Sequence, residues 1–232
     1  MFRKKPILKY ESALEVYPNI VTPAKNHIPE WYKKIPKWKD GEMHDLEKGF
    51  NWTVKQCIPF LESLTIGYAI TLPSDIYVSE HNNEPVLSWP GKNYSIGVRD
   101  GVADINLVPF GHYEKEFTWK SHSAIKIPNN YSMLITHPLN RHDLPFTTLS
   151  GVVDGGFTMT SFGNIPFYIK KGFTGIIKQG TPIVQIIPFY PEDWISKVEK
   201  DLTKEGVRND VSVSLVISGW YKKIFWKRKK YD

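Results

Sequence analysis

Cysteine is all but absent: Cys57 is the only one in 232 residues, which excludes an internal disulfide framework and any zinc site built on several thiolates. Long apolar runs are missing as well. No window approaches the roughly 20 residues that a membrane-spanning helix needs, so no membrane span is expected. The N-terminal stretch MFRKKPILKYESALEVYPNI starts positive but lacks the apolar region of a signal peptide. A soluble protein not exported by a standard signal is therefore expected, and an intracellular origin fits. No established catalytic or cofactor signature appears, so no cofactor is expected. Internal repeats and low-complexity segments are absent too.

What the chain does have is apolar surface. A hydrophobic fraction of 41% and an aromatic fraction of 14% belong to a folded protein, because disordered chains cannot offset their ordering entropy by burial. The length suffices for a core without staples. The formal net charge of +6 is moderate, but much of the excess lies at the extreme C-terminus.

From Pro6 to Asp40, five prolines at 6, 18, 23, 29 and 36 deny backbone donors and exclude a long helix. Between Pro29 and Pro36, the spacing of Trp31, Tyr32, Ile35 and Trp38 predicts a short helical segment that clamps aromatics on the body. Beside Lys33, Lys34, Lys37 and Lys39 those tryptophans could instead stack single-stranded nucleic acid; packing is the expected role. A second short helix is predicted over 57–68, with Pro59 at its first turn, Gly67 at its end and Cys57, expected to be buried and inert, at its entrance. From Tyr68 the pattern turns to short β runs broken by turn signals: YAITL, DIYVS, PVLSW, YSIGVR, residues 102–108, EFTWKSHSAIKI, SMLITH, TLSGVVD, PFYIKK, FTGIIK and PIVQIIPF. Alternation at Phe117, Trp119 and Ser121 suggests strands covered on one face. PEDWISKVEKDLTKEG then reads as a helix ending at Gly206, and DVSVSLVISGW leans to a strand because Val211, Val213, Leu215 and Ile217 alternate. The expected fold is mainly β, a single-domain sandwich or barrel of jelly-roll or β-clip type with two or three short helices. Residues 1–50 would form a Pro- and aromatic-rich extension packed on the body, 51–191 the β-rich core, and 192–232 a helix and basic tail.

Three places could carry chemistry. The loop Thr136-His137-Pro138-Leu139-Asn140-Arg141-His142-Asp143 gathers donors, a guanidinium and a carboxylate between two strands, where sites on β scaffolds sit. His137, Asn140, Arg141 and Asp154 are the candidate ligand-binding residues; Arg141 could take a carboxylate or phosphate bidentately, or pair with Asp143 or Asp154, and the structural pairing is expected. His112-Tyr113-Glu114 puts two possible metal ligands on one strand face, and with His122, His137 or His142 could imitate a facial triad. The spacing is poor and His-x-His is absent, so no metal site is expected. The tail WYKKIFWKRKKYD interleaves Lys222, Lys223, Lys227, Arg228, Lys229 and Lys230 with aromatics. Clustered cations release counterions on a polyanion, making nucleic acid or an acidic surface a possible partner; the alternative is a solvated end whose aromatics dock on the body.

Gly151-Val152-Val153-Asp154-Gly155-Gly156-Phe157, followed by GFTGIIKQGTPIVQIIPF, resembles the closing pattern of dUTPase and deoxycytidine deaminase subunits, trimeric β proteins whose Gly-x-x-Asp turn activates water or contacts the sugar. That resemblance implies Asp154 as a general base near a nucleotide. It departs where an Arg-Ser-Ser phosphate signature is expected, for which Asn140-Arg141 is a poor substitute, and a Gly-flanked Asp is also an ordinary turn former.

From roughly Pro29 onward, PEWYKKIPKW, KQCIPFLESLTIGYAI, the strand around Trp119, IPNNYSMLITHPLNR, LPFTTLSGVVD, NIPFYIKKGFTGIIKQGTPIVQIIPF and KKIFWKRKKY follow in an order that resembles a family of uncharacterised proteins of T4-like cyanophages and other marine phages. A bacterial domain of unknown function is distantly similar over the later half. The resemblance implies a phage protein, in the virion or in the cytoplasm of the infected bacterium, and brings no activity with it. The expected function is a non-catalytic virion component or accessory factor binding other phage proteins, a second copy of itself, or nucleic acid. The alternative is a nucleotide- or small-anion-binding enzyme acting through Arg141 and Asp154.

Overall fold

Alternating apolar residues and frequent turn signals leave this chain one economical way to satisfy its backbone, which is antiparallel pairing between short strands. A computed structural model describes residues 5–41, 44–45, 49–91, 95–99, 107–120, 122–160, 165–215 and 220–232. Among these, the first strands are β1 Lys9–Ser12, β2 Val21–Pro23, β3 His44–Asp45, β4 Gly49–Phe50, β5 Tyr68–Thr71 and β6 Ile76–His81. They continue as β7 Glu84–Ser88, β8 Ile96–Val98, β9 Phe117–Trp119, β10 Ser123–Lys126, β11 Ser132–Thr136 and β12 Phe146–Thr148. The last are β13 Gly151–Asp154, β14 Thr158–Thr160, β15 Ile165–Ile169, β16 Gly175–Ile177 and β17 Pro182–Phe189. Four helices accompany them: α1 Glu30–Lys34, α2 Ile58–Thr65, α3 Leu202–Leu215 and α4 Trp220–Ile224.

A five-stranded sheet runs β13-β11-β17-β5-β2 and a four-stranded one β12-β15-β9-β8. Smaller sheets β1-β10-β14 and β16-β6-β7, with the hairpin β3-β4, complete the set. None of these closes on itself among the described residues, so the architecture is sandwich-like and mainly β, not a barrel. One core joins the layers: Ile70, Met133, Ile135, Val184 and Ile186 from the larger sheet meet Phe117, Trp119, Phe146, Phe167 and Ile169 from the four-stranded one. At its centre Trp119 stacks on Phe167 with ring centroids 3.6 Å apart and meets Phe146 edge-on at 5.0 Å.

A bulge couples the two larger sheets. The β17–β5 register shifts between Pro182 and Val184, so the Ile183 carbonyl falls out of the ladder. Thr148 on β12 donates to it at 2.8 Å and accepts the Trp119 indole N–H at 3.0 Å, which satisfies a polar atom that a buried Trp otherwise leaves orphaned.

Several expectations change. The N-terminal segment does more than pack on the body, since β1 pairs with β10 and β2 forms the edge of the five-stranded sheet. β9 is buried on both faces at Phe117, Thr118 and Trp119, not on one. The expected single run from 116 to 127 is two strands in two sheets, with His122 at φ 52 where the chain turns between them. The helix expected over 192–206 is absent from 191–199 and begins at Leu202, after Asp201 at φ 72. It then runs on to Leu215 through the first half of the stretch expected as a strand, of which 216–219, with Ile217, lie outside the described residues. The expected strand over 102–108 lies outside the described residues except at 107–108, which are not in a strand. Cys57, expected to be buried, is exposed at the N-cap of α2.

Candidate functional site

The loop after β11 begins with His137, whose ring is held on both sides. The Thr148 backbone N–H donates to its Nδ1 at 3.3 Å, so its Nε2 carries the proton and donates to the Arg141 carbonyl at 3.2 Å. The ring also stands edge-on to Phe146 at 5.7 Å. Burial lowers the His137 pKa to about 4, helped by the charges of Lys170, His142 and Arg141 and opposed by the bond to the Arg141 carbonyl, so the imidazole is neutral near pH 7. Asn140 takes φ 58, a left-handed conformation that Asn tolerates, and its amide donates to the Ser63 hydroxyl of α2.

Arg141 spends its guanidinium locally. Nε and Nη2 each donate at 2.8 Å to the two carboxylate oxygens of Asp143, and Nη1 reaches the His27 carbonyl at 3.4 Å. Asp143 also accepts the Trp31 indole N–H at 3.2 Å. Burial would raise the Asp143 pKa, but the hydrogen bonds and charge of Arg141, with the Trp31 bond, outweigh it and hold the carboxyl below its ordinary range. Gln185 on β17 closes the network: its amide oxygen accepts from Leu139 N–H and its nitrogen donates to the carbonyls of Ser63 and Ile66. The loop therefore ties α1 and α2 to the sheet. The structural pairing expected for Arg141 is the one present.

Asp154 is elsewhere. Antiparallel register sets it opposite Ser132, whose hydroxyl donates to it at 2.8 Å, whereas His137 follows Thr136 at the other end of β11. Four residues of strand, about 13 Å, separate the ends. The glycine that follows Asp154 has a packing cause. A Cβ on Gly155 would stand 2.0 Å from the Pro128 carbonyl oxygen and 2.5 Å from that of Tyr131, which only glycine avoids. So the structure brings His137, Asn140 and Arg141 together and leaves Asp154 apart and exposed.

His112 bridges β-fashion to Lys170, and its Nδ1 faces the carbonyls of Pro109 and Phe110. Burial lowers its pKa. Among the described residues no group of three His, Cys, Asp or Glu side chains is placed to hold a metal ion. Trp31 packs against Tyr32 and Phe60 in edge contacts, and the Lys55 ammonium donates to the carbonyls of Tyr32 and Lys33. The aromatic clamp expected around residues 29–38 is thus present at Trp31 and Tyr32.

The basic tail is anchored rather than trailing. Lys229 lies 2.7 Å from Glu62 of α2, Asp232 accepts from Lys25 at 3.0 Å, and Tyr231 meets Tyr68 edge-on at 5.6 Å. Lys222 sits 5.9 Å over the Trp226 ring. The remaining four cations, Lys223, Lys227, Arg228 and Lys230, are exposed and make no ion pair among the described residues.

Two features escape sequence reasoning. Glu116, only 3% exposed, accepts the Tyr168 hydroxyl at 2.9 Å and lies 3.4 Å from Arg99; those partners are 52 and 17 positions away, beyond any local pattern. The second is that residues 5–8 and the tail meet beside Tyr68 and Tyr131, around a cavity of about 450 Å³. No helix among the described residues is long and apolar enough to cross a membrane. No protein-family model matches the chain, and no curated protein sequence matches it.

Proposed function

We propose that this is a non-catalytic phage protein, virion-associated or accessory, whose docked C-terminal tail binds a polyanion, nucleic acid foremost. The observation that carries this reading is the anchoring of the tail by Lys229, Tyr231 and Asp232, which leaves four neighbouring cations displayed to solvent at fixed positions. Preplaced charges bind phosphates without first ordering a flexible segment, so more of the counterion-release free energy survives as affinity. The phage assignment rests on the sequence resemblance. Mass spectrometry of purified virions checks its first half: peptides of this chain in the particle support a virion component, and their absence makes it an accessory factor.

A protein partner is favoured by a separate feature. From Phe189 to Asn209 every residue is exposed, and Trp194, Ile195 and Val198 are 86%, 94% and 96% exposed. Apolar side chains so placed mark an association surface. The enzyme alternative needs Arg141 and Asp154 at one place, and they stand toward opposite ends of β11, with the Arg141 guanidinium already paired to Asp143. The test of the leading reading is nucleic-acid binding by the full chain and by a variant with Lys223, Lys227, Arg228 and Lys230 all changed to Gln. Loss of binding in the variant supports it.

A further inference from the structure

The cavity between the chain ends is lined by three tyrosines, Tyr68, Tyr131 and Tyr231, and by three cations, Lys5, Arg228 and Lys230. A second cavity of about 450 Å³ shares Lys5 and Tyr131 with it and adds Lys9 and Lys126, so the two form one cleft. Five cations therefore line the cleft, and among the described residues no carboxylate does. Two acids stand just outside it, and both are paired: Asp232 with Lys25 at 3.0 Å and Glu62 with Lys229 at 2.7 Å. The cleft is thus an aromatic and apolar box with a positive rim, in the size range of small-ligand sites.

We propose that this cleft takes a nucleoside phosphate unit, its base against the tyrosine rings and its phosphate on Arg228, Lys230 and Lys5. The inference rests on the reading of the tail as a polyanion-binding element and names what that element presents to the body. Tyrosine faces accept any base, because every base has a π-face. Cations without an intervening carboxylate favour the phosphate that accompanies it. A base stacked inside a duplex cannot reach such a box, so the occupant is a free nucleotide or an unpaired residue of a strand. In the second case Lys223 and Lys227, on the tail outside the cleft, would follow the backbone on either side.

The test measures the binding of the full-length protein to a fluorescent oligothymidylate and to a duplex of equal length, at one salt concentration. Two variants alter the cleft and leave the tail cations in place: Tyr131→Leu, which also touches the edge of the core and keeps an apolar side chain there, and Lys5→Gln at an exposed residue that cannot compromise the core. A third, Lys223→Gln with Lys227→Gln, alters the tail alone. The proposal expects Tyr131→Leu to weaken the single strand about tenfold, Lys5→Gln to weaken it less, and both to leave duplex binding unchanged. The tail variant should weaken both forms by one factor. Thymidine monophosphate raising the melting temperature would assign the free nucleotide as occupant, and displacement by the strand alone would assign the strand. Equal effects of the cleft variants on both forms, or none on the single strand, would overturn the cleft while leaving the tail reading intact. So would stabilisation by decanoate with no response to nucleotide or strand. Failure of the protein to bind either form overturns both.

Discussion

His137 shows how a residue marked as a site candidate can be a strut. Its Nδ1 accepts from Thr148 and its Nε2 donates to Arg141, an arrangement that exists only for the neutral ring, and burial lowers its pKa from 6.5 to about 4. As pH falls, the unfolded chain takes up this proton first, so stability is level above about pH 7 and falls between 6.5 and about 4. The loss from this one ring is on the order of 3 kcal/mol. His27 and His112, both also lowered chiefly by burial, act in the same sense. Asp143, held low by Arg141, adds stability that is lost only at still lower pH. Urea unfolding at pH 7 and pH 4.5 checks this, and His137→Gln should flatten the dependence. Thr148 is a second residue of this type. Thr148→Val keeps the shape but orphans the Trp119 N–H and the Ile183 carbonyl, and should cost about 1–3 kcal/mol in the same unfolding measurement.

At the scale of elements, turns and helix starts follow local chemistry. Asn82 and Asn83, with φ 51 and 61, form the two-residue turn of the β6–β7 hairpin that their sequence announces. Pro29 and Pro36 bound α1 as their ring chemistry requires. α3 starts later and runs further than expected because acids near 192 and valine alternation near 211 are weak local preferences, and neither specifies a partner. Residues 191–199 have no regular hydrogen bonding, and α3 runs through Val211 and Val213. That arm, 191–215, carries six acidic and four basic residues in a chain of net charge +6, so it is complementary to the basic remainder of a second copy. We expect it to mediate self-association. Light scattering on eluting protein should show an oligomer, and Trp194→Ser with Ile195→Ser and Val198→Ser should yield a monomer. An unchanged mass in the variant would count against the arm as the interface.

At the scale of the molecule, the mainly-β sandwich was legible because alternation and turns are periodic, and the Arg141–Asp143 pair because its members are two positions apart. The meeting of the two ends was not legible. Contacts such as Lys25 with Asp232 span 207 positions and follow from the packing of the whole chain, which no window of sequence contains. That meeting is what turns a charge run into an anchored surface, and binding through it is the central claim. The most direct test is the salt dependence of oligonucleotide affinity for the full chain. Four displayed cations contribute about −3 to the slope of log affinity against log salt on a single strand, a contribution that is lost when Lys223, Lys227, Arg228 and Lys230 are replaced by Gln. A slope near zero in the unaltered protein, or one that the four replacements leave unchanged, would contradict it.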